Sequence, residues 1–317
     1  MRKLLASLSL AALAVFAQSA SVSNTTSVDI NGHRVSDGPE VITSKTATAT
    51  QVTETTQSIN GRTVPLKRVE ERVLREDASG KVVERLIRRY DQQGNPLPPV
   101  REHIDEQKRS DGSSVTTATT YRGDVNGNMQ LAEKSVTESR KSGAEERAQT
   151  VIQRPTINGA LDTVEKQEQV KITDPNGYKA ESTTYRRGGG GGFYPAVRRV
   201  TDHTEKGSES TENTVEYEAN PGSALQLHSQ TVAKTVTSSD GGKATVLNIY
   251  GASVPGTVNG PGSGMQLQEQ QLIDSQKGRN DTVTQTFSVR RPTISDPNTL
   301  GPARQISQTV CKGNCKP

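Results

Sequence analysis

The sequence predicts an all-β protein, an elongated antiparallel array of repeated β-hairpins, and three observations favour this fold class. Glycine-bearing turn signals recur in two interleaved series, each with a spacing of roughly 32 residues. The segments between the turns are rich in Thr, Val, Ile and Tyr, which favour strands. A Tyr, an Arg or both also precede the turns of the second series.

Many of the turn signals join glycine to Asn, Asp or Ser, and such pairs adopt the positive φ angles of tight hairpin turns. The first series has its glycines at Gly80, Gly112, Gly143, Gly177, Gly207, Gly241 and Gly278. The second series comprises Gly94, Gly127, Gly159, the run 188–192, Gly222, the region 260–264 and Gly301. Two successive turns therefore bound one strand, and each repeat unit is one long hairpin.

The segment 281–290 is the clearest strand, because apolar and hydroxyl-bearing side chains alternate along it. Segments 66–74 and 81–90 also fit a short helical hairpin, since their apolar residues follow helical spacing. The phase of the turns favours strands there. Whether the sheet closes, stacks on another copy or stays single-layered is left open by the sequence.

The residues before the second series of turns form a repeated class of their own. They are Arg89-Tyr90, Tyr121-Arg122, Arg154, Tyr185-Arg186, Tyr217, Tyr250 and Arg290-Arg291. A tyrosine ring can lie under a neighbouring guanidinium. We therefore expect these side chains to form a ladder at the strand ends.

The first residues have the pattern of a secretory signal peptide, expected over residues 1–20. Arg2 and Lys3 precede an apolar run that ends in small residues, and the run is too short to span a bilayer as a helix. Cleavage after Ala17 and cleavage after Ala20 both fit. We therefore expect a secreted, periplasmic or cell-surface chain that has no transmembrane segment after cleavage.

The composition divides the rest of the chain into three parts. Residues 21–60 are rich in Ser and Thr and low in complexity, which predicts a disordered or weakly structured arm. Residues 61–305 form the β-hairpin repeat region. Residues 306–317 form a C-terminal tail that contains both cysteines.

The charge pattern argues against nucleic acid as a partner. The formal net charge is +4, it falls by two without Arg2 and Lys3, and acids and bases alternate along the chain. Aromatic residues are 3% of the chain and Trp is absent, so few rings could stack on bases. A cell-envelope or polysaccharide surface and further copies of the chain are the expected partners.

The residues that could carry chemistry are few. Cys311 and Cys315 predict a small disulfide loop in an oxidising compartment, with an intermolecular link or free thiols as the alternatives. The four histidines lie in unrelated contexts. No catalytic, cofactor-binding or metal-binding residue is assigned, no cofactor is expected, and the interpretation leans against an enzyme.

One short segment resembles a known family. Residues 89–95 read Arg-Tyr-Asp-Gln-Gln-Gly-Asn, which resembles the YD-repeat (Rhs-like) family, whose units carry Tyr-Asp, two residues, then Gly and a polar residue. Members of that family build extended β-sheet shells and fibres in exported proteins. The resemblance implies a structural or encapsulating role.

The leading hypothesis from the sequence is an exported, non-catalytic structural or surface-interaction protein, adhesive or associated with the cell envelope. Long solvated sheets offer repeated weak contacts that give avidity. The first alternative is a carbohydrate-binding protein or carbohydrate-active enzyme on a β scaffold. The second alternative is a largely disordered matrix component.

Overall fold

The computed structural model describes residues 17–29, 32–47, 49–124, 126–252, 264–293, 299–313 and 315, and these form 18 antiparallel β-strands in one sheet. Their bounds are β1 Ala17–Val28, β2 Arg34–Ala47, β3 Thr50–Ile59, β4 Arg62–Asp77, β5 Gly80–Arg89, β6 Val100–Lys108, β7 Ser113–Gly123, β8 Met129–Ser142, β9 Glu145–Pro155, β10 Leu161–Asp174, β11 Gly177–Arg187, β12 Phe193–Lys206, β13 Glu209–Glu218, β14 Gln226–Thr237, β15 Lys243–Ala252, β16 Met265–Lys277, β17 Thr282–Arg290 and β18 Arg304–Gly313.

The sheet closes on itself. Each strand pairs with the next along the chain, and β1 pairs with both β2 and β18. The predicted all-β class and the antiparallel hairpins are confirmed, but the elongated array is wrong. Closure pairs the backbone groups of the first and last strands, which an open array would leave as exposed edges.

The two series of turns lie at opposite ends of the barrel. The first series joins strands by short turns, as where Asp77 pairs with Gly80 and Asp174 with Gly177, and we call this the short-turn end. β1 begins and β18 ends there as well. The second series forms the longer connections at the other end, the loop end, except that residues 260–263 of the predicted turn 260–264 lie outside the described residues. At Gly278 the positive φ angles belong instead to Asn280 and Asp281.

The N-terminal segment differs from the arm that its composition suggested. The described residues between 17 and 59 include the strands β1, β2 and β3, because Ser and Thr fit a pleated strand whose backbone is paired on both sides. Residues 1–16 lie outside the described residues, so the signal peptide stays a prediction. At the other terminus, β18 occupies most of the expected tail.

Segments 66–74 and 81–90 lie within β4 and β5, so the strand interpretation is confirmed and the helical one is wrong. Helical spacing arises there because the apolar side chains are divided between the two faces, with Val69 opposite Ile87 on the lumen face and Leu86 opposite Glu70 on the outward face. Among the described residues, no helix is long and apolar enough to cross a membrane.

Alternating side chains face the inside or the outside of the barrel. A row of paired residues crosses strands β9 to β11 through Thr150, Gln167 and Thr184, and a second row crosses β11 to β14 through Ser182 and Arg199. Both rows line one cavity. Because side chains of the adjacent strands β9 to β14 all reach this cavity, it lies on the concave inner side of the curved sheet. These residues, and those that share their face through the strand register, form the lumen face.

Few apolar residues are buried. In the part of the chain that the structure describes, Val83, Ala196 and Val289 are the buried hydrophobic residues. A wide barrel has no packed centre, because its interior is the lumen. The strand ladder, closed into a ring, therefore carries most of the stabilising interactions.

Candidate functional site: the lumen and its loop-end mouth

The lumen face carries many hydroxyl groups, several of which bond to one another across neighbouring strands. The Oγ1 atoms are 2.8 Å apart in the pairs Thr137–Thr150 and Thr235–Thr245. They are 3.0 Å apart in Thr201–Thr214 and, across the closing seam, in Thr25–Thr309. Hydroxyls both donate and accept hydrogen bonds, so this surface is suited to contact with water.

Three arginine–glutamate pairs repeat at the loop end of the lumen face, and we call them the mouth pairs. Arg154 Nε lies 3.0 Å from Glu133 Oε2, Arg186 Nε lies 3.6 Å from Glu165 Oε2, and Arg291 lies 3.0 Å from Glu269 Oε2. The mouth pairs therefore place three of the repeated arginines, Arg154, Arg186 and Arg291, inside the barrel next to carboxylates.

A β-bulge fixes the position of each mouth pair. The register shifts by one residue next to Glu133, next to Glu165 and next to Glu269. The extra residue on one strand reverses the alternation locally and turns the following glutamate toward the lumen. On β8, β10 and β16, the residue that follows the bulge is therefore a glutamate that faces the lumen.

Four tyrosines lie on the outward face near the loop end. Each is directly opposite an apolar residue of the next strand, in the pairs Tyr121–Leu131, Tyr185–Pro195, Tyr217–Leu227 and Tyr250–Leu267. In Tyr121-Arg122 and Tyr185-Arg186, adjacent residues point to opposite faces, so the tyrosine faces outward and the arginine faces the lumen. We call these four residues the tyrosine belt.

The outward face of β3, β4 and β5 carries an outer ionic cluster. Arg68 bonds Glu54 at 2.8 Å and Glu70 at 2.9 Å, and Arg88 bonds Glu70 at 2.6 Å. By contrast, the outward positions of β15, β17, β18 and β1 are mostly Val, Thr, Asn and Gln. The outside of the barrel therefore has a charged sector and a nearly uncharged one.

Two connections at the loop end share one turn structure. Asp91 Oδ1 accepts hydrogen bonds from the backbone N–H groups of Gln93 at 2.9 Å and Asn95 at 2.8 Å. Asp124 Oδ1 accepts the equivalent bonds from Asn126 and Asn128, at the same distances. The segment that resembles the YD-repeat family therefore forms a β-turn that occurs a second time in this barrel.

These bonds make the two turns sensitive to acid. The pKa of Asp91 is lowered mainly by the Asn95 side chain, and the pKa of Asp124 is lowered mainly by the Asn128 backbone N–H. A lowered pKa in the folded state stabilises the fold fully above the ordinary aspartate pKa of about 4. This contribution is lost as the pH falls through the lower folded pKa.

We expect the chain to melt at a lower temperature below about pH 4, and the D91N/D124N double variant to lose part of this pH dependence. Melting curves of both proteins between neutral pH and pH 3 measure the difference. Because Asn keeps one acceptor oxygen but does not titrate, it is the matched replacement. Identical pH profiles would contradict the assigned role of these carboxylates.

The structure places the remaining candidate residues in separate surroundings. Cys311 and Cys315 are joined by a disulfide at the short-turn end, and both line a second lumen cavity. His203 stacks on Tyr178, with 4.8 Å between ring centroids. His228 lies near Glu216 and Glu218, with the possible ligand atoms within 4.8 Å of one another. Sequence reasoning missed this last group, because Glu218 and His228 lie on different strands.

Comparison with known proteins supports the fold. No family model and no curated protein matches the chain. The crystal structure of OccK5 (OpdH) from Pseudomonas aeruginosa has a TM-score of 0.58 at 9% identity and covers 94% of this chain and 97% of that one. OmpT, an outer membrane protein of Vibrio cholerae, and the outer membrane channel DcaP of Acinetobacter baumannii have TM-scores of 0.36 and 0.35, at 6% and 10% identity.

For OmpT, the aligned region covers 94% of this chain and 99% of that one, and for DcaP it covers 98% and 100%. The likeness to OccK5 shows the fold alone, which in this chain is a closed β-barrel.

These findings correct several predictions. The resemblance to the YD-repeat family is wrong as a guide to the fold, because the strands close into a barrel. The adhesive or envelope-associated array, the carbohydrate-directed protein and the disordered matrix component are wrong as well, since the described strands close into one 18-strand barrel with a fold like that of OccK5. The expectation of no transmembrane segment is also wrong, because it considered only helices, and a closed β-barrel is a structure that can span a membrane with its strands.

Proposed function

We propose that the barrel is a water-filled pore of the cell envelope, located in an outer membrane. The observation that carries this proposal is the closed ring of 18 strands around a polar lumen. A ring of this strand number, with strands about 4.8 Å apart and tilted by about 40°, has a backbone diameter of roughly 35 Å. Barrels of this size leave an aqueous channel after side chains are placed.

The arrangement of the two ends supports a membrane orientation. Short turns and both terminal strand ends lie at one end, and longer connections lie at the other, which is the usual arrangement in outer-membrane barrels. The tyrosine belt lies near the loop end, where amphipathic rings favour the boundary between lipid and water. Ile172, Val236 and Val310 are exposed outward nearer the short-turn end.

The outer ionic cluster restricts where lipid contacts the wall. A lysine or arginine that faces lipid costs about 2–4 kcal/mol at the bilayer midplane. The paired charges of β3 to β5 lower this cost but do not remove it. We therefore assign the lipid contact to the nearly uncharged outward face of β17, β18 and β1. We assign a contact with polar groups to the charged outward face of β3 to β5.

Single-channel recording tests the proposal. The mature chain, folded in detergent and added to a planar bilayer, should give stepwise conductance, and the boiled chain should give none. The Y217S/Y250S variant should insert less than the wild type, because it removes half of the tyrosine belt. The Y178S variant is the matched control, because Tyr178 faces the lumen and bonds Glu212 at 2.8 Å. A chain that stays water-soluble without detergent and never conducts would refute the pore.

A further inference from the structure

We infer that the mouth pairs set the ion selectivity of the pore, because they neutralise three carboxylates that would otherwise attract cations at the loop end. This inference rests on the proposed function. It concerns Glu133, Glu165 and Glu269, each held next to an arginine at an equivalent place in its hairpin. The three pairs lie on the hairpins β8–β9, β10–β11 and β16–β17.

The pairing follows from the strand register. Glu165 and Arg186 are direct cross-strand partners. Glu133 and Arg154 lie one position beyond the partners Lys134 and Gln153. In the third hairpin, Glu269 and Arg291 lie one position beyond the partners Gln270 and Arg290. In all three hairpins, the glutamate therefore follows a bulge in the pairing of its strand with the preceding strand, and it lies opposite an arginine on the next strand.

The two members of each mouth pair differ in their contact with the lumen. The side chains of Arg154, Arg186 and Arg291 are 60%, 58% and 74% exposed, whereas those of Glu133, Glu165 and Glu269 are 36%, 24% and 20% exposed. The guanidinium groups therefore cover the carboxylates on the side that a passing ion meets. Rings of charged side chains are a general means of ion selection in pores.

The width of the lumen limits how far these charges act. A charge is screened over about 10 Å at 0.1 M salt and about 30 Å at 0.01 M salt, whereas the barrel radius is roughly 18 Å. The mouth pairs therefore control the whole cross-section only at low salt. Any change in selectivity caused by breaking the pairs should shrink as the salt concentration rises.

The test compares three triple variants by their reversal potentials in a KCl gradient at low salt. R154Q/R186Q/R291Q leaves the three acids uncovered, and should raise the permeability ratio of K⁺ to Cl⁻ several-fold. E133Q/E165Q/E269Q should lower this ratio. R68Q/R88Q/R198Q is the matched control, since it removes three arginines from the outward face, and it should keep the wild-type ratio.

The possible outcomes distinguish failure of the proposed pore from failure of the proposed role of the mouth pairs. A wild-type chain that does not conduct overturns the pore itself. If the wild type conducts, the pore stands and two results would overturn the role of the mouth pairs. One is that R154Q/R186Q/R291Q keeps the wild-type permeability ratio. The other is that R68Q/R88Q/R198Q changes this ratio by the same amount as R154Q/R186Q/R291Q does. Opposite shifts in the arginine and glutamate variants, both weaker at high salt, support the inference.

Discussion

A disulfide introduced across the closing seam should form within one chain and in nearly every molecule. Thr25 of β1 and Thr309 of β18 are direct partners, their Oγ1 atoms lie 3.0 Å apart, and 284 positions separate them in the sequence. Directly opposite residues of antiparallel strands have the separation that a disulfide needs. The variant is T25C/T309C, made in a C311S/C315S background so that the native disulfide does not interfere.

The measurement is the mass of the cross-linked tryptic peptide, together with mobility on a non-reducing gel. The control is T25C/T214C in the same background, because Thr214 faces the lumen from a strand that does not pair with β1. It should give no intramolecular cross-link. Closing so long a loop should also stabilise the fold by up to about 5 kcal/mol. Cross-links that form only between chains would show an open sheet and contradict the closed barrel.

The hairpins could be predicted from the sequence, because each depends on local signals. Asn176-Gly177 and Asp111-Gly112 define turns by the backbone angles that their residues allow, and the structure has positive φ angles at both glycines. The alternation in 281–290 then gives the strand that follows such a turn. Local turn chemistry therefore predicts most strand boundaries.

Closure could not be predicted in the same way. It depends on β1 and β18, whose pairing joins the two ends of the chain and has no local signal. The Ser/Thr-rich composition of β1 to β3 fits a disordered arm as well as it fits a solvated strand, so the N-terminal strands were missed. A strand that is hydrogen-bonded to a neighbour on each side is ordered by this pairing, and amino-acid composition alone does not show which segments will pair.

The lumen mouth was partly visible in the sequence. The repeated Tyr-Arg words predict a ladder of these side chains at the strand ends, but the structure places tyrosine and arginine on opposite faces. Because neighbours in a strand point to opposite faces, Tyr185 and Arg186 had to separate, and this could have been inferred from the alternation alone. The glutamate partners of these arginines could not be inferred in this way, since a β-bulge shifts Glu165 and Glu269 out of the simple alternation.

Replacing Gly177 by alanine should destabilise the barrel far more than the same change at Gly159. Both glycines are in hairpin turns and have positive φ angles, +154° and +79°. A Cβ atom on Gly177 would lie 1.9 Å from the backbone oxygen of His203 on the next strand, whereas a Cβ on Gly159 would meet no atom within 4 Å. Backbone atoms of a paired strand cannot move aside without breaking the ladder.

We therefore expect G177A to lower the free energy of unfolding by at least about 3 kcal/mol. G159A should lower it by roughly 1 kcal/mol, which is the cost of alanine in a left-handed conformation. Unfolding of the detergent-folded chain in urea measures both values. Gly80 provides an independent repeat, since its Cβ would lie 1.9 Å from the backbone oxygen of Glu106 and G80A should resemble G177A. Equal effects of G177A and G159A would mean that β11 and β12 do not approach as closely as this register requires.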